Sequence, residues 1–135
     1  MRFVFDTNVI VSALLLTNSK PHRAFLHALQ RGKVLVSEAV LAELYQVLAR
    51  KRFRHYIEEK DIHAFLAALT HEAEWINVNV QINACRDPKD NKFLELAVSG
   101  RATHLVSGDL DLLSLDPFHD VTILPPQALL EMLNQ

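Results

Sequence analysis

Two aspartates, Asp6 and Asp109, stand directly after short apolar runs. Arg2–Phe5 precede the first, and 103–107 precede the second, with Gly108 allowing a sharp turn. Nearly continuous apolar runs of this length are typical of strands covered on both faces of a parallel sheet. Ligands bind in the crevice beyond the carboxyl ends of such strands, so both carboxylates are expected at a site. Each could instead cap the helix or loop that follows it.

Glu43 stands on the apolar stripe of a predicted helix. The helix spans about Glu38–Arg52, and Glu43 lies three residues after Val40 and four before Val47, both on the inward face. A carboxylate on a buried face is costly unless it is paired with a cation or bound to a metal. Taken alone, this pattern favours a salt bridge to a nearby arginine or lysine.

Another pair of aspartates opens a later predicted helix. Asp87 before Pro88 has the sequence of a helix N-cap, which accounts for its presence. Asp90 falls on the same helix face as Phe93 and Leu94, which are expected to face the sheet. Asp90 is therefore preferred as the member of a central site, and Asp87 is the competing choice.

Together the four acids predict one cluster. Carboxylates that converge in a crevice raise one another's pKa values and destabilise the fold unless cations offset their charge. Oxygen ligands suit Mg²⁺ or Mn²⁺. Two such ions about 3.5–4 Å apart can clamp the attacking and leaving oxygens of a phosphoryl group. The acids predicted to cluster are Asp6, Glu43, Asp90 and Asp109.

These acids would be positioned by strands that alternate with helices along the whole chain. The strands are predicted at Arg2–Phe5, Lys33–Val36, Trp75–Val80, Thr103–Ser107 and Val121–Leu124. The helices are predicted at Val9–Leu16 with Asn8 as cap, from Pro21 to Gly32, at Glu38–Arg52 after Ser37, after Asp61, from Asp87 to Gly100, and after Pro125. This alternation implies right-handed βαβ units, and hence an α/β fold in which a mostly parallel sheet lies between two helical layers.

Length and composition predict a single domain over residues 1–135. The net charge is −2, so any nucleic-acid contact requires a local basic patch rather than the field of the whole molecule. The lone Cys85 excludes an internal disulfide and fits a cytoplasmic protein. Neither a signal peptide nor a membrane span is expected. The seven histidines form no zinc motif, and no glycine-rich phosphate loop supports a nucleotide cofactor.

Four motifs follow one another at wide spacing over essentially the whole chain. They are Asp6-Thr7-Asn8-Val9, Glu43, Asp87-Pro88-Lys89-Asp90-Asn91-Lys92-Phe93 and Ser107-Gly108-Asp109-Leu110-Asp111-Leu112. This arrangement resembles the PIN-domain family of metal-dependent ribonucleases. It is most similar to the small prokaryotic members described as VapC-type toxins of toxin–antitoxin systems. The first and last motifs are distinctive as a pair, whereas either alone is weak.

The resemblance implies a PIN-like three-layer α/β/α sandwich that uses Mg²⁺ or Mn²⁺ to cleave single-stranded RNA. It also implies a homodimer and a small antitoxin that lays a segment over the active-site groove. The family's acids fall on Asp6, Glu43, Asp90 and Asp109, with Asp87 and Asp111 as possible additional ligands. The neighbours that could orient these carboxylates are Thr7, Asn8 and Ser107. Water would then attack phosphorus in line, leaving a 5′-phosphate and a 3′-hydroxyl.

RNA would have to approach these acids across a positively charged surface. The candidate cations are Arg50, Lys51, Arg54, Lys89 and Lys92. Phe53 and Tyr56 add aromatic rings that could stack bases beside the first three. A solvated helix end, where cations are favoured by the helix dipole, would show the same pattern.

Two other classes of protein are considered. A non-catalytic binding module on the same scaffold would share the fold and differ in binding no metal and cleaving no RNA. An aspartyl-phosphate enzyme or receiver also uses acids at strand ends. However, Asn8 stands where a dehalogenase-type phosphatase needs a second aspartate, and Pro125 follows the last strand where a receiver needs a lysine. The second class is therefore the poorer fit.

Overall fold

The computed structural model describes residues 1–134 and contains, within them, a five-stranded sheet in which all neighbouring strands are parallel. The strands are β1 (Arg2–Phe5), β2 (Lys33–Val36), β3 (Glu74–Trp75), β4 (His104–Val106) and β5 (Thr122–Leu124). Their order is β3-β2-β1-β4-β5. Phe5 of β1 pairs with Val106 of β4, so the carboxyl ends of these two strands are neighbours at the centre of the sheet.

Helices cover both faces of the sheet. They are α1 (Thr7–Leu15), α2 (Lys20–Arg31), α3 (Glu38–Leu48), α4 (Glu59–Glu72), α5 (Asn91–Ser99), α6 (Leu110–Leu113) and α7 (Pro126–Leu133), with 3₁₀ turns at Lys51–Phe53 and Pro88–Asp90. Within residues 1–134, none of these helices combines the length and apolar character that a membrane crossing requires.

The side chains of β1 alternate between two buried cores. Phe3 and Phe5 pack in the core formed with α1, α2 and α7, whereas Val4 packs in the opposite core with α5 and α6. Both faces of the sheet are therefore covered, which explains the uninterrupted apolar character of the strand. The predicted α/β fold, with its three layers and mostly parallel central sheet, is confirmed.

Helix α3 ends at Leu48, so the predicted extension to Arg52 is wrong. The backbone of Arg50 is extended (φ −64°, ψ 141°), and the chain then enters the 3₁₀ turn. Phe53 and Ile57 pack against the core that contains Phe3. The basic run consequently lies in an exposed turn and not on a helix end.

Two helices begin earlier than their sequences suggest. Helix α1 is capped by Asp6, not Asn8, because the Asp6 carboxylate accepts a hydrogen bond from the N–H of Val9. Helix α4 follows Glu58, and the N–H of Asp61 already bonds to the Glu58 carbonyl. Asp61 therefore lies inside the first turn of α4 and does not cap it.

The strand predicted at 75–80 is also shorter in the structure, where β3 comprises Glu74–Trp75. Its partner β2 ends at Val36, because Ser37 caps α3 and leads the chain away from the sheet. The last backbone bond to β2 comes from the N–H of Ile76, 2.8 Å from the Val36 carbonyl oxygen. Beyond this point the segment has no strand to pair with.

The connection between β3 and α5 is held by side chains instead. Polar side chains of α5 accept hydrogen bonds of 2.9–3.1 Å from its backbone N–H groups: Ser99 from Asn79, Glu95 from Ile82, and Asn91 from both Ala84 and Cys85. The β-branched residues of this segment thus lie along α5, which explains why their strand propensity does not produce a strand.

Candidate active site

Asp6 lies at the carboxyl end of β1 and is 5% exposed. One carboxylate oxygen accepts the N–H of Val9 at 2.9 Å and caps α1, while the other accepts the hydroxyl of Ser107. Burial raises the pKa of Asp6 above its usual range. The two hydrogen bonds oppose this rise, and the charges of Asp109 and Glu43 add to it. Asp6 is therefore both a helix cap and a member of an acidic cluster.

Ser107 joins the ends of the two central strands. Its fully buried hydroxyl donates to Asp6 and accepts the N–H of Asp109 at 3.0 Å. Asp109 in turn accepts the N–H of Asp111 at 2.9 Å and caps α6. One hydroxyl group thus fixes the position of Asp6 relative to the loop that carries Asp109.

Glu43 reaches the same place from α3. The Thr7 hydroxyl donates to one of its carboxylate oxygens, and the Lys92 ammonium lies 3.0 Å from the other. The side chains of this ion pair are 21% exposed at Lys92 and 23% at Glu43. The salt bridge that the isolated sequence pattern favours is therefore present, and its carboxylate also lies near Asp6, whose pKa it raises.

Asp90 ends the 3₁₀ turn before α5 and is half-buried. Burial, followed by the charges of Asp109 and Asp87, raises the pKa of Asp90 to about 6, and Glu43 contributes in the same direction. Asp87 is exposed and uses its carboxylate to accept the N–H of Lys89 at 3.0 Å. The structure thus places Asp90 among the other acids and Asp87 at their rim.

We refer to Asp6, Glu43, Asp90 and Asp109 as the acid cluster. A crevice of about 500 Å³ opens beside it and is lined by Asp6, Asn8 and Asp109, among others. Asn8 is exposed in this crevice, and Asp111 is exposed on α6. Asp109 and Glu43 lie near enough to Asp6 and Asp90 to raise the pKa values of both, whereas Glu43 and Asp90 do not line this crevice.

The predicted basic residues are distributed differently. Lys92 lies inside the acid cluster on Glu43, while Lys89 is exposed at its rim. Arg50, Lys51 and Arg54 are exposed in the turn after α3. Arg54 lines a separate cavity of about 400 Å³ whose lining includes no member of the acid cluster. The structure does not bring this basic run into the crevice.

Two residues next to the acid cluster received no role from the sequence. Asn91 is 7% exposed, and its side-chain oxygen holds the backbone of Ala84 and Cys85. The Cys85 thiol is half-buried, and burial and the charges of Asp90 and other nearby acids raise its pKa to about 11. The signal available in the sequence for Asn91 was its position directly after Asp90, whereas nothing in the sequence places Cys85 here.

The acid cluster fits a hard divalent cation by donor type and charge. Its possible donor atoms are all carboxylate oxygens. The pKa values of Asp6 and Asp90 are raised partly by the other acids, and a cation would offset this cost. Among residues 1–134, however, no three acidic, histidine or cysteine side chains stand close enough in this conformation to hold one ion. Glu43 is engaged by Lys92. Ion binding would therefore require the acidic side chains to move closer together.

Parallel α/β architecture with carboxylates at the ends of the central strands is consistent with the family that the sequence motifs resemble. The family model of the PIN domain matches residues 2–111, and the chain belongs to the PIN-domain family. Proteins of this family are typically nucleases.

Two known proteins are similar to this chain. The uncharacterized protein MJ1680 of Methanocaldococcus jannaschii is 34% identical over 118 residues, which cover 85% of this chain and 75% of that protein. The crystal structure of VapBC2 from Rickettsia felis, bound to a DNA fragment from their promoter, matches with a TM-score of 0.61. That match covers 91% of this chain and 97% of the other at 16% identity, so it is a likeness of fold.

Proposed function

We propose that this protein is a metal-dependent endoribonuclease that cleaves single-stranded RNA and acts as the toxin of a toxin–antitoxin pair. The observation that carries the proposal is the convergence of four carboxylates at the carboxyl ends of β1 and β4. Membership of a family of nucleases that generally use divalent metals supports the same chemistry. The likeness in fold to VapBC2 supports the toxin role and a small antitoxin as partner.

The ligands proposed for Mg²⁺ or Mn²⁺ are Asp6, Glu43, Asp90 and Asp109, with Asp87 and Asp111 at the rim. When bound, the ions supply positive charge to the scissile phosphate and to its attacking and leaving oxygens. Ser107 holds Asp6, and Thr7 holds Glu43, so both carboxylates are oriented before any ligand arrives. Asn8, exposed in the crevice, is positioned to contact RNA.

RNA is proposed to reach the crevice past Lys89 and along the basic run at Arg50, Lys51 and Arg54. These cations are exposed and would contact phosphates. Lys92 differs from them, because its ammonium is already paired with Glu43 and balances charge inside the acid cluster. The homodimer and the cytoplasmic location expected from the sequence belong to the same proposal.

A non-catalytic binding module is the second candidate. The observation that favours it is that Lys92 and Thr7 occupy both oxygens of Glu43, and no ready-made ion site exists among residues 1–134. In such a module, the ammonium of Lys92 would stand permanently in place of a metal ion.

The two candidates differ in metal binding and cleavage. Purified protein should bind Mn²⁺ in a calorimetric titration and cut a labelled single-stranded RNA in Mn²⁺ or Mg²⁺ but not in EDTA. The products should carry a 5′-phosphate and a 3′-hydroxyl. Protein that neither binds Mn²⁺ nor cuts RNA would establish the binding module instead.

A further inference from the structure

A groove beside the acid cluster carries the single tryptophan of the chain. Trp75 ends β3 and is 51% exposed, although large aromatic side chains are usually buried. The groove has a volume of about 530 Å³ and is lined by Trp75, Asn77, Lys92 and Glu95, among others. We propose that it binds one unpaired base of the RNA, stacked on the indole of Trp75, next to the phosphate that is cut. This inference rests on the proposed function.

The position of the groove fits such a role. Trp75 pairs with Val36 at the end of β2, and all strands are parallel, so Trp75 and Asp6 lie at the same edge of the sheet. β3 and β1 are separated by two strand spacings, or about 10 Å. The two sites also share a residue, because Lys92 lines the groove while its ammonium contacts Glu43. A strand of RNA could therefore occupy both together.

The chemistry of the lining favours a base over a phosphate. The groove carries two carboxylates, Glu38 and Glu95, and the one ammonium, Lys92, is already paired with Glu43. This negative balance disfavours a phosphate group, whereas an uncharged base stacks on an exposed indole without a charge penalty. The exposed side-chain amide of Asn77 lines the groove and can form hydrogen bonds with the edge of a base.

Because Trp75 is the single tryptophan, its fluorescence reports on this groove alone. The test uses the full chain with Asp6→Asn, which prevents cleavage, titrated in Mg²⁺ with single-stranded RNA and with an abasic strand of equal length. Saturable quenching is expected with RNA and little with the abasic strand. Binding of labelled RNA, measured by anisotropy, should weaken roughly 5- to 100-fold in Trp75→Ala and persist in Trp75→Phe.

Leu26→Ala is the matched control, because Leu26 is 44% exposed on α2 and lines neither the groove nor the cavity that contains Arg54, and it should bind RNA normally. The inference is overturned if RNA binds without altering the Trp75 signal, if the abasic strand quenches equally, or if Trp75→Ala binds as tightly as the parent. It is also overturned if the fluorescence of Trp75 changes with protein concentration in the absence of RNA, since the groove would then be a contact between two copies of the chain.

Cleavage by the wild-type protein in Mn²⁺, assayed in parallel, separates this inference from the proposed function. If the wild-type protein cleaves RNA but RNA does not change the fluorescence of Trp75, the base-binding groove is refuted and the proposed nuclease function is not. Failure both to cleave and to bind RNA refutes the two together.

Discussion

The surroundings of Asp6 both favour and oppose ionisation of its carboxyl group. The N–H of Val9 and the hydroxyl of Ser107 stabilise its ionised form, while burial and the neighbouring acids oppose ionisation. The net result is a raised pKa, so the carboxylate stays buried at a cost in stability. Costs of this kind concentrate at sites that a protein retains for function and not for folding.

Asp90 should make the metal-free protein more stable in mild acid. Its pKa is raised to about 6 in the folded state, above the ordinary 3.8, so the folded protein keeps a proton that the unfolded chain has lost. Stability therefore falls as the pH rises from about 4 to 6. In EDTA, the melting temperature of the wild-type protein should fall further than that of Asp90→Asn as the pH rises over this interval. Equal slopes for the two proteins would show that Asp90 is not perturbed.

At the residue scale, the sequence located the acids and named Thr7 and Ser107 as neighbours that could orient them, but it did not pair Glu43 with Lys92. Asp6 and Glu43 could be placed because a strand end and a helical stripe are local patterns. The pairing of Glu43 with Lys92 joins residues 49 positions apart and depends on how α3 packs near α5. A single sequence holds no signal for that contact. Lys92 was accordingly grouped with the RNA-binding cations.

At the scale of elements, the connection between β3 and α5 depends on side chains for its order. Four of its backbone N–H groups donate to side chains of Asn91, Glu95 and Ser99, and β2 offers no strand partner beyond Val36. The sequence predicted a strand to Val80 because β-branched residues dominate the segment. Strand formation also needs a partner, and β2 ends at Val36, which only the tertiary structure reveals.

Removing the Asn91 amide should release the end of this connection. Asn91→Ala leaves the N–H groups of Ala84 and Cys85 without their acceptor, and the free energy of unfolding should fall by about 1–3 kcal/mol. Hydrogen exchange should accelerate at these two amides. Ser99→Ala is the control and should accelerate exchange at Asn79 instead. Unchanged exchange at Ala84 and Cys85 would mean that other contacts hold the connection.

At the scale of the whole molecule, a net charge of −2 does not attract RNA. The acid cluster adds local repulsion, so association must depend on exposed cations elsewhere on the surface. The basic run after α3 is the largest such group in the sequence, and Phe53 anchors its turn to the core. Sequence analysis identified this run, although it could not show that the run lies apart from the crevice.

Neutralising Arg50, Lys51 and Arg54 to glutamine should weaken RNA binding. The slope of log K against log salt is negative, and each lost phosphate contact reduces its magnitude by about 0.7 for a single strand. The matched control neutralises Arg23, Arg31 and Lys33, which are equally exposed on and beside α2, and should leave the slope unchanged. If both triple variants bind RNA with the wild-type slope, the basic run is not the RNA surface.

The central claim is that the acid cluster cleaves RNA with a divalent metal, and Asp6→Asn tests it most directly. Asparagine caps helices as well as aspartate, so the bond from Val9 and the fold should persist. The substitution removes one charge from the proposed metal ligands. The measurement is Mn²⁺-dependent cleavage of single-stranded RNA by rigorously purified protein, with circular dichroism to verify folding. Abolished cleavage by a folded variant is the predicted result, and cleavage at the wild-type rate would contradict the account.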